Sequence, residues 1–236
     1  HTGRETFLMP VKWKKGWPVI LDKGKTVPTV VEKDNLMPLS SSRQVTGNVI
    51  FTDDFASETL DSRWVFLRNP QMDNYILNKD GLHVKATATN LFGNQSPSVL
   101  FCRQKNASFT VETECSFMAK SKSELAGITL FQNEKNNFVM GITLLEDKPS
   151  IVLERTEQGK RILVASAFLS VGDNLAPIKM RVVGDGGYYS FAYAVGKEAW
   201  QNLAKGCDAK NLSTHTAGGF VGTMIGLYAT TCHGFQ

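Results

Sequence analysis

The sequence predicts an all-β protein, an antiparallel sandwich or barrel, and three observations carry that prediction. From about residue 49 onward, short segments alternate with a period of two: Phe109, Val111, Thr113, Cys115 and Phe117 interleave with Thr110, Glu112, Glu114 and Ser116. Successive strand side chains point to opposite faces, so this is the pattern of a half-buried strand. Such segments recur about every ten residues, which suits a sandwich or barrel. The connections between them, such as residues 133–137, 146–149, 157–160, 184–187 and 195–197, are rich in residues that tolerate tight turns.

In chain order, the first 48 residues stand apart. Phe7, Leu8, Met9, Val11, Trp13, Trp17, Val19 and Ile20 crowd together near the start. Chain starts are ordinarily polar, so these side chains call for a partner surface. Residues 23–48 carry two prolines, several serines and no sustained period, and read as an extended linker. A short helical turn is expected near residues 56–64, where Ser57 or Asp61 can cap it. Strand segments follow as YILN at 75, LHVKAT at 82, SVLFCR at 98 and SFTVETECSF at 108. The series continues with GITLFQ at 127, FVMGITL at 138, SIVLER at 150, RILVASAF at 161, IKMRVV at 178 and YYSFAYAV at 188.

Composition narrows the function. The 236 residues are 42% hydrophobic and 20% charged, with a formal charge of +4. That is an ordinary globular balance. Lys12, Lys14 and Lys15 form a short basic run beside tryptophans, too little for a nucleic-acid surface. No apolar run approaches a helical membrane span, so neither nucleic acid nor membrane is expected as a partner. The chain opens at His1, as a processed chain or a fragment does. Cys102, Cys115, Cys207 and Cys232 lack metal-site spacing; they read as separate thiols or, for Cys102 and Cys115, as a bridge between neighbouring strands. Three N-x-[ST] triplets, at Asn94, Asn106 and Asn211, bear on glycosylation only in a eukaryotic secretory setting.

No nucleophile elbow or paired-histidine zinc motif is present, and His1, His83, His215 and His233 are scattered. Glu112 and Glu114 share a strand face about 7 Å apart, within the range of glycosidase acid and base pairs. They are equally what a wet strand face needs for solubility. Asp53 and Asp54 offer oxygen ligands to a structural calcium or simply solvate a strand end. Tyr189, Phe191 and Tyr193 share a face, with Trp200 after the next turn; flat rings either stack on sugars or fill a core. Gly218 and Gly219 before Phe220, with Gly222 after Val221, let the chain turn sharply and hold that ring out of the core.

Taken together, the strings GRETFLMPVKW, GWPVI, FTDDFASETLDSRWVFLRNP, SFTVETE, AGITLFQNEKN and TAGGFVGTMIGLYAT resemble the C-terminal half of glycoside hydrolase family 43 enzymes, above all the β-xylosidase group. The resemblance implies a concanavalin A-like jelly-roll sandwich at 49–236, an interdomain linker at 23–48, and the closing stretch of a catalytic β-propeller at 1–22. Hydrolysis in that family rests on propeller carboxylates that lie upstream, so the resemblance assigns no catalytic residue to this chain. It implies that Phe220 walls the propeller's active-site pocket, that Phe7, Trp13 and Trp17 pack between domains, and that no cofactor is required. The implied partners are the upstream propeller of the same polypeptide and a xylo-oligosaccharide or arabinoxylan substrate, handled by a β-xylosidase first or an α-L-arabinofuranosidase second. Family members commonly close on another aromatic strand where this sequence reads ATTCHGFQ, so that strand is expected to be absent or supplied otherwise. The residues also admit a stand-alone carbohydrate-binding module using Tyr189 and Trp200, or a sandwich-fold glycosidase using Glu112 and Glu114.

Overall fold

The computed structural model describes residues 9–28, 30–31, 49–170 and 176–234, which fall in two compact units divided at residue 53. In the first, β1 (Lys12–Lys14) and β2 (Trp17–Val19) form an antiparallel hairpin, with Trp13 opposite Pro18. Its two-residue turn places both Lys15 and Gly16 at positive φ, the backbone that matches strand twist in a tight hairpin. Trp13 and Trp17 are 71% and 76% exposed.

The second unit carries β3 (Val65–Phe66), β4 (Tyr75–Asn78), β5 (Gly81–Val84), β6 (Ser98–Arg103), β7 (Phe109–Cys115), β8 (Leu125–Asn133) and β9 (Asn136–Leu145). It continues with β10 (Lys148–Glu157), β11 (Lys160–Phe168), β12 (Ile178–Asp185), β13 (Tyr188–Val195), β14 (Gln201–Asp208), one short helix α1 (Thr214–Ala217) and β15 (Met224–Thr230). These strands build a seven-stranded sheet, ordered β11-β10-β9-β8-β15-β6-β3, and a four-stranded sheet, β14-β13-β12-β7. Every pairing within the two sheets is antiparallel. β4 and β5 form a separate hairpin.

Between the sheets lies one apolar core. Ile128, Leu130, Phe138, Met140, Ile151 and Leu153 come from the larger sheet, and Ile178, Met180, Val182 and Phe191 from the smaller. A second cluster, with Val99, Phe101, Leu125, Val139, Val152, Tyr228 and Leu91, occupies the other face of the larger sheet. The two faces follow from neighbours such as Phe138 and Val139 belonging to different clusters. The sheet is therefore covered on both sides, and β8 and β9 are buried almost end to end. Gly127 and Gly141 sit directly opposite one another in these strands. A Cβ on Gly127 would lie 2.1 Å from the Met140 carbonyl oxygen, so the close approach of β8 and β9 requires glycine there.

The structure departs from the sequence reading in several places. Residues 56–64 form no helix; Asp61 instead accepts a hydrogen bond from the Arg63 amide at 2.8 Å, closing a local turn. β14 went unforeseen because register shifts against β13 break its alternation. Cys102 and Cys115 are free thiols, the first of the two readings their spacing left open. Burial pushes the Cys115 thiol up to about 11.

Candidate functional site

Among the described residues, the most exposed aromatic side chain of the second unit is at the end of a loop built by ordinary capping chemistry. Ser213 caps α1, its hydroxyl accepting from the Thr216 amide at 3.3 Å. The helix ends after four residues because Gly218 and Gly219 both take φ near +76 to +77, where side chains are strained. Phe220 follows, 73% exposed, with Val221 at 51%.

The loop does not hang by its backbone alone. Gln132, only 3% exposed near the end of β8, points its amide nitrogen at two loop carbonyls: Nε2 donates to Val221 O at 2.7 Å and to Gly218 O at 3.4 Å. Asn133 Nδ2 donates to Ala217 O at 3.1 Å. Thr223 anchors the exit, its hydroxyl donating to Leu212 O at 3.3 Å and its carbonyl accepting from the Gln104 amide at 3.0 Å. Carbonyls in an irregular segment have no ladder partners, and these side-chain amides supply them. Sequence reasoning found the glycines and Phe220 but missed Gln132, whose signal is a polar residue closing the apolar run of β8.

The remaining site candidates scatter over the unit. Tyr189 is 3% exposed; its ring meets Phe109 and Phe138 edge-on at 5.6 and 6.1 Å, and its hydroxyl donates to Gln104 Oε1 at 2.7 Å. It is a core residue and offers no face to a sugar, because β13 turns Tyr189, Phe191 and Tyr193 inward together. Trp200 is half-buried on the outward face of the smaller sheet, with the Arg181 guanidinium 3.8 Å from its ring centroid. Glu112 and Glu114 do share that face. Arg181 Nε donates to Glu112 Oε1 at 2.7 Å, and Lys179 Nζ lies 3.9 Å from Glu114 Oε2. Both carboxylates face cations across the ladder and are exposed.

Asp53 spends its oxygens locally, Oδ1 accepting from the Phe55 amide at 2.8 Å and Oδ2 from Trp64 Nε1 at 2.7 Å. Asp54 Oδ1 accepts from the Ala56 amide at 3.1 Å. Among the described residues no group of three or more His, Cys, Asp or Glu side chains is gathered to hold a metal ion. Phe7 lies outside the described residues.

One buried charged cluster was not foreseen. Glu154, 1% exposed on β10, accepts from Arg161 Nε at 2.7 Å and Nη2 at 3.1 Å, and lies 3.0 Å from His233 Nε2. Arg161 also donates to the His233 and Gly234 carbonyls, at 2.7 and 3.3 Å, so the cluster fastens the segment after β15 to the edge of the sheet. Burial by itself would raise the Glu154 carboxyl, but the hydrogen bonds from His233 and Arg161 outweigh it and hold it below the ordinary carboxylate value. A carboxylate this enclosed, with its charge met on the spot, is structural.

A two-sheet antiparallel sandwich with a core between the sheets and a second apolar layer behind the larger one defines a lectin-like, concanavalin A-like class. Residues 52–234 match the family described as the beta xylosidase C-terminal concanavalin A-like domain, and the chain belongs to that family, the C-terminal part of glycoside hydrolase family 43 enzymes. Among curated relatives, a non-reducing end alpha-L-arabinofuranosidase of Bacteroides ovatus is 30% identical over 234 residues, covering 98% of this chain and 42% of the relative. A xylosidase/arabinosidase of Butyrivibrio fibrisolvens is also 30% identical, covering 97% of this chain and 43% of the relative. A solved family 43 protein of the Bacteroides ovatus xyloglucan locus superposes with a TM-score of 0.83 at 28% identity, over 98% of this chain and 44% of that one. The chain thus spans less than half the length of the relatives it matches.

Proposed function

We propose that this chain is the accessory sandwich of a larger glycosidase acting at chain ends of xylan or arabinoxylan, and that the Phe220 loop walls the active-site pocket of a catalytic domain on the same polypeptide. The observation that carries the reading is Phe220 itself: a large apolar ring 73% exposed, yet displayed on a loop tied down by Gln132 and Asn133. An apolar side chain held outward on a fixed loop suits closing a pocket against water and narrowing it around a terminal sugar. The activities of two relatives, an arabinofuranosidase and a xylosidase/arabinosidase, support that substrate class. The hydrolytic acid and base belong to the catalytic domain, which inverts the anomeric centre by activating a water opposite the leaving group. Trp13 and Trp17, exposed on the β1–β2 hairpin, give that domain an apolar surface to cover.

The test is Phe220→Ala in the full-length polypeptide, assayed on aryl xyloside and aryl arabinofuranoside. We expect kcat/KM to fall about tenfold, a loss of roughly 1.4 kcal/mol of transition-state stabilisation. Unchanged kcat and KM would overturn the lid. Turnover by the 236-residue chain alone, abolished in Glu112→Gln, would instead place the chemistry on the sandwich.

A further inference from the structure

We propose that Arg68 and Glu134 are positioning residues for Phe220, acting through the β8–β9 turn, and that loss of either lets the ring leave the place from which it walls the pocket. The inference rests on the proposed role of Phe220 and adds what fixes that ring. β8 loses its regular ladder just where it reaches the loop: its last pair with β15 joins Phe131 to Met224, and its register against β9 shifts between Phe131 and Asn133. A register shift re-aims the side chains beside it. Here those are Gln132 and Asn133, the two amides that bind the Phe220 loop. Their direction is set as much by the side-chain contacts of the turn at 133–137 as by the sheet.

Those contacts form a lattice. Asn133 Oδ1 accepts from the Lys135 amide and from Asn136 Nδ2, each at 3.0 Å. Buried Asn137 returns its Nδ2 to the Asn133 and Glu134 carbonyls at 3.3 and 3.4 Å. The Gly159 amide donates to Lys135 O at 2.9 Å, joining the β10–β11 turn to the same group. Glu134 Oε1 accepts from Arg68 Nη2, while Arg68 Nη1 donates to Gln95 O. One guanidinium therefore bridges the segment after β3, the segment before β6 and the β8–β9 turn. Its bond to Glu134 is charge-assisted, and both side chains are only partly exposed, so water weakens the pair less than an open surface pair. Arg68 also holds φ at +61°, a left-handed backbone that side-chain-bearing residues rarely adopt. Elsewhere in the chain such backbone falls mostly in hairpin turns, at Lys15, Glu146, Asp147 and Gln158. Arg68 is in no hairpin, and its conformation persists because the two partners of its guanidinium over-determine it. From there the path to the ring runs through Glu134, Asn133 and Ala217. Gly218 and Gly219 follow, whose backbone freedom leaves the direction of Phe220 to whatever holds their neighbours.

The experiment uses the full-length polypeptide, with turnover of aryl xyloside and aryl arabinofuranoside and amide exchange read on the same variants. Arg68→Met should quicken exchange across residues 216–223 and leave β9 and β10 unchanged. It should also lower kcat/KM about threefold, divided between kcat and KM as in Phe220→Ala, and Glu134→Ala should do the same. Arg68→Lys keeps the charge but cannot fork to both acceptors, so it should restore part of each readout. Added to Phe220→Ala, Arg68→Met should lower kcat/KM no further, because a displaced ring and a missing ring are one defect. Unchanged exchange at the loop, or exchange quickened equally in β9 and β10, overturns the positioning role. A double variant whose losses multiply overturns it too, since Arg68 would then act apart from Phe220. If Phe220→Ala leaves turnover intact, it is the pocket-wall reading that fails, and quickened loop exchange in Arg68→Met still shows the guanidinium holding the loop.

Discussion

The central strands of the seven-stranded sheet are covered on both faces, the four-stranded sheet on one, and this difference separates scaffold from wet surface. In the larger sheet one carboxylate is enclosed: Glu154 is 1% exposed and meets Arg161 and His233 within 3.0 Å. Across the outer face of the smaller sheet the same kinds of charge, Glu112, Glu114, Lys179 and Arg181, stand in water around Trp200. Enclosed groups are set by neighbours on every side and cannot vary without a structural cost, whereas groups on a wet face vary at little cost.

The largest effects should fall where β8 and β9 touch. Gly127→Ala puts a Cβ 2.1 Å from a backbone oxygen that has no rotamer to escape into, and should cost about 3 kcal/mol or more, or prevent folding. Gly206→Ala in β14 meets nothing within 4 Å and carries only the strain of its positive φ, so it should cost about 1 kcal/mol. Chemical denaturation of the two variants ranks them. Equal losses would erase the contrast between the sheets.

Next comes the buried cluster. Arg161→Ala leaves the Glu154 carboxylate enclosed with less than its charge answered, and should cost about 3 kcal/mol. Because Glu154 titrates below its ordinary value in the folded protein, its contribution is complete above the unfolded carboxylate pKa and lost as pH falls through the folded one. Stability should therefore decline on acidification below about pH 4.3, and Glu154→Gln should remove that part of the decline. An identical acid profile in wild type and Glu154→Gln would show that the cluster carries no net charge linkage.

The contrast also explains what could be read from the sequence. Three strands of the smaller sheet were legible: β7, β12 and β13 carry a wet face, and Glu112 and Glu114 emerge on the side their alternation predicts, whereas β14, with its register shifts, was not. The larger sheet was legible only as apolar runs with turns between them, since a strand covered on both faces loses its period. Inward alternation placed Tyr189 with its core neighbours, but whether a row of rings faces a core or a ligand depends on which sheet face is packed, which one strand does not encode. Gln132, Glu154 and His233 escaped notice because their partners are 7 to 89 residues away in sequence. By contrast, the glycines flanking Phe220 act through their own backbone, and a local signal of that kind survives in the sequence.

A smaller effect is expected at the clamp on the loop. Gln132→Met keeps the shape of the side chain but removes the donor to Val221 and Gly218, leaving those carbonyls without it. Stability should fall by about 1 to 2 kcal/mol, and amide exchange across residues 216–223 should quicken while that of β8 and β9 does not. In the full-length polypeptide the same substitution should reproduce part of the Phe220→Ala defect. If Phe220→Ala impairs turnover and Gln132→Met does not, the loop keeps its place without the clamp.

The smallest effect belongs to the ion pairs of the wet face, and it tests the comparison from the other side. Arg181 bonds Glu112 at 2.7 Å and stacks on Trp200, so its removal deletes two contacts at once; both sit in high dielectric with Glu112 exposed. Exposed pairs and exposed cation–π contacts are each worth about 0.2 to 1 kcal/mol, so Arg181→Ala should cost about 1 kcal/mol in low salt. Glu112→Gln should cost less, because the stack remains. A double-mutant cycle between the two positions should give a coupling of a few tenths of a kcal/mol that fades as salt approaches 1 M, where screening reaches about 3 Å. A loss above about 2 kcal/mol, unmoved by salt, would mean that the Arg181 lattice holds the smaller sheet together as Glu154 and Arg161 hold the larger one. The face would then be scaffold on both sides of the sandwich, and Trp200 a structural residue held by Arg181.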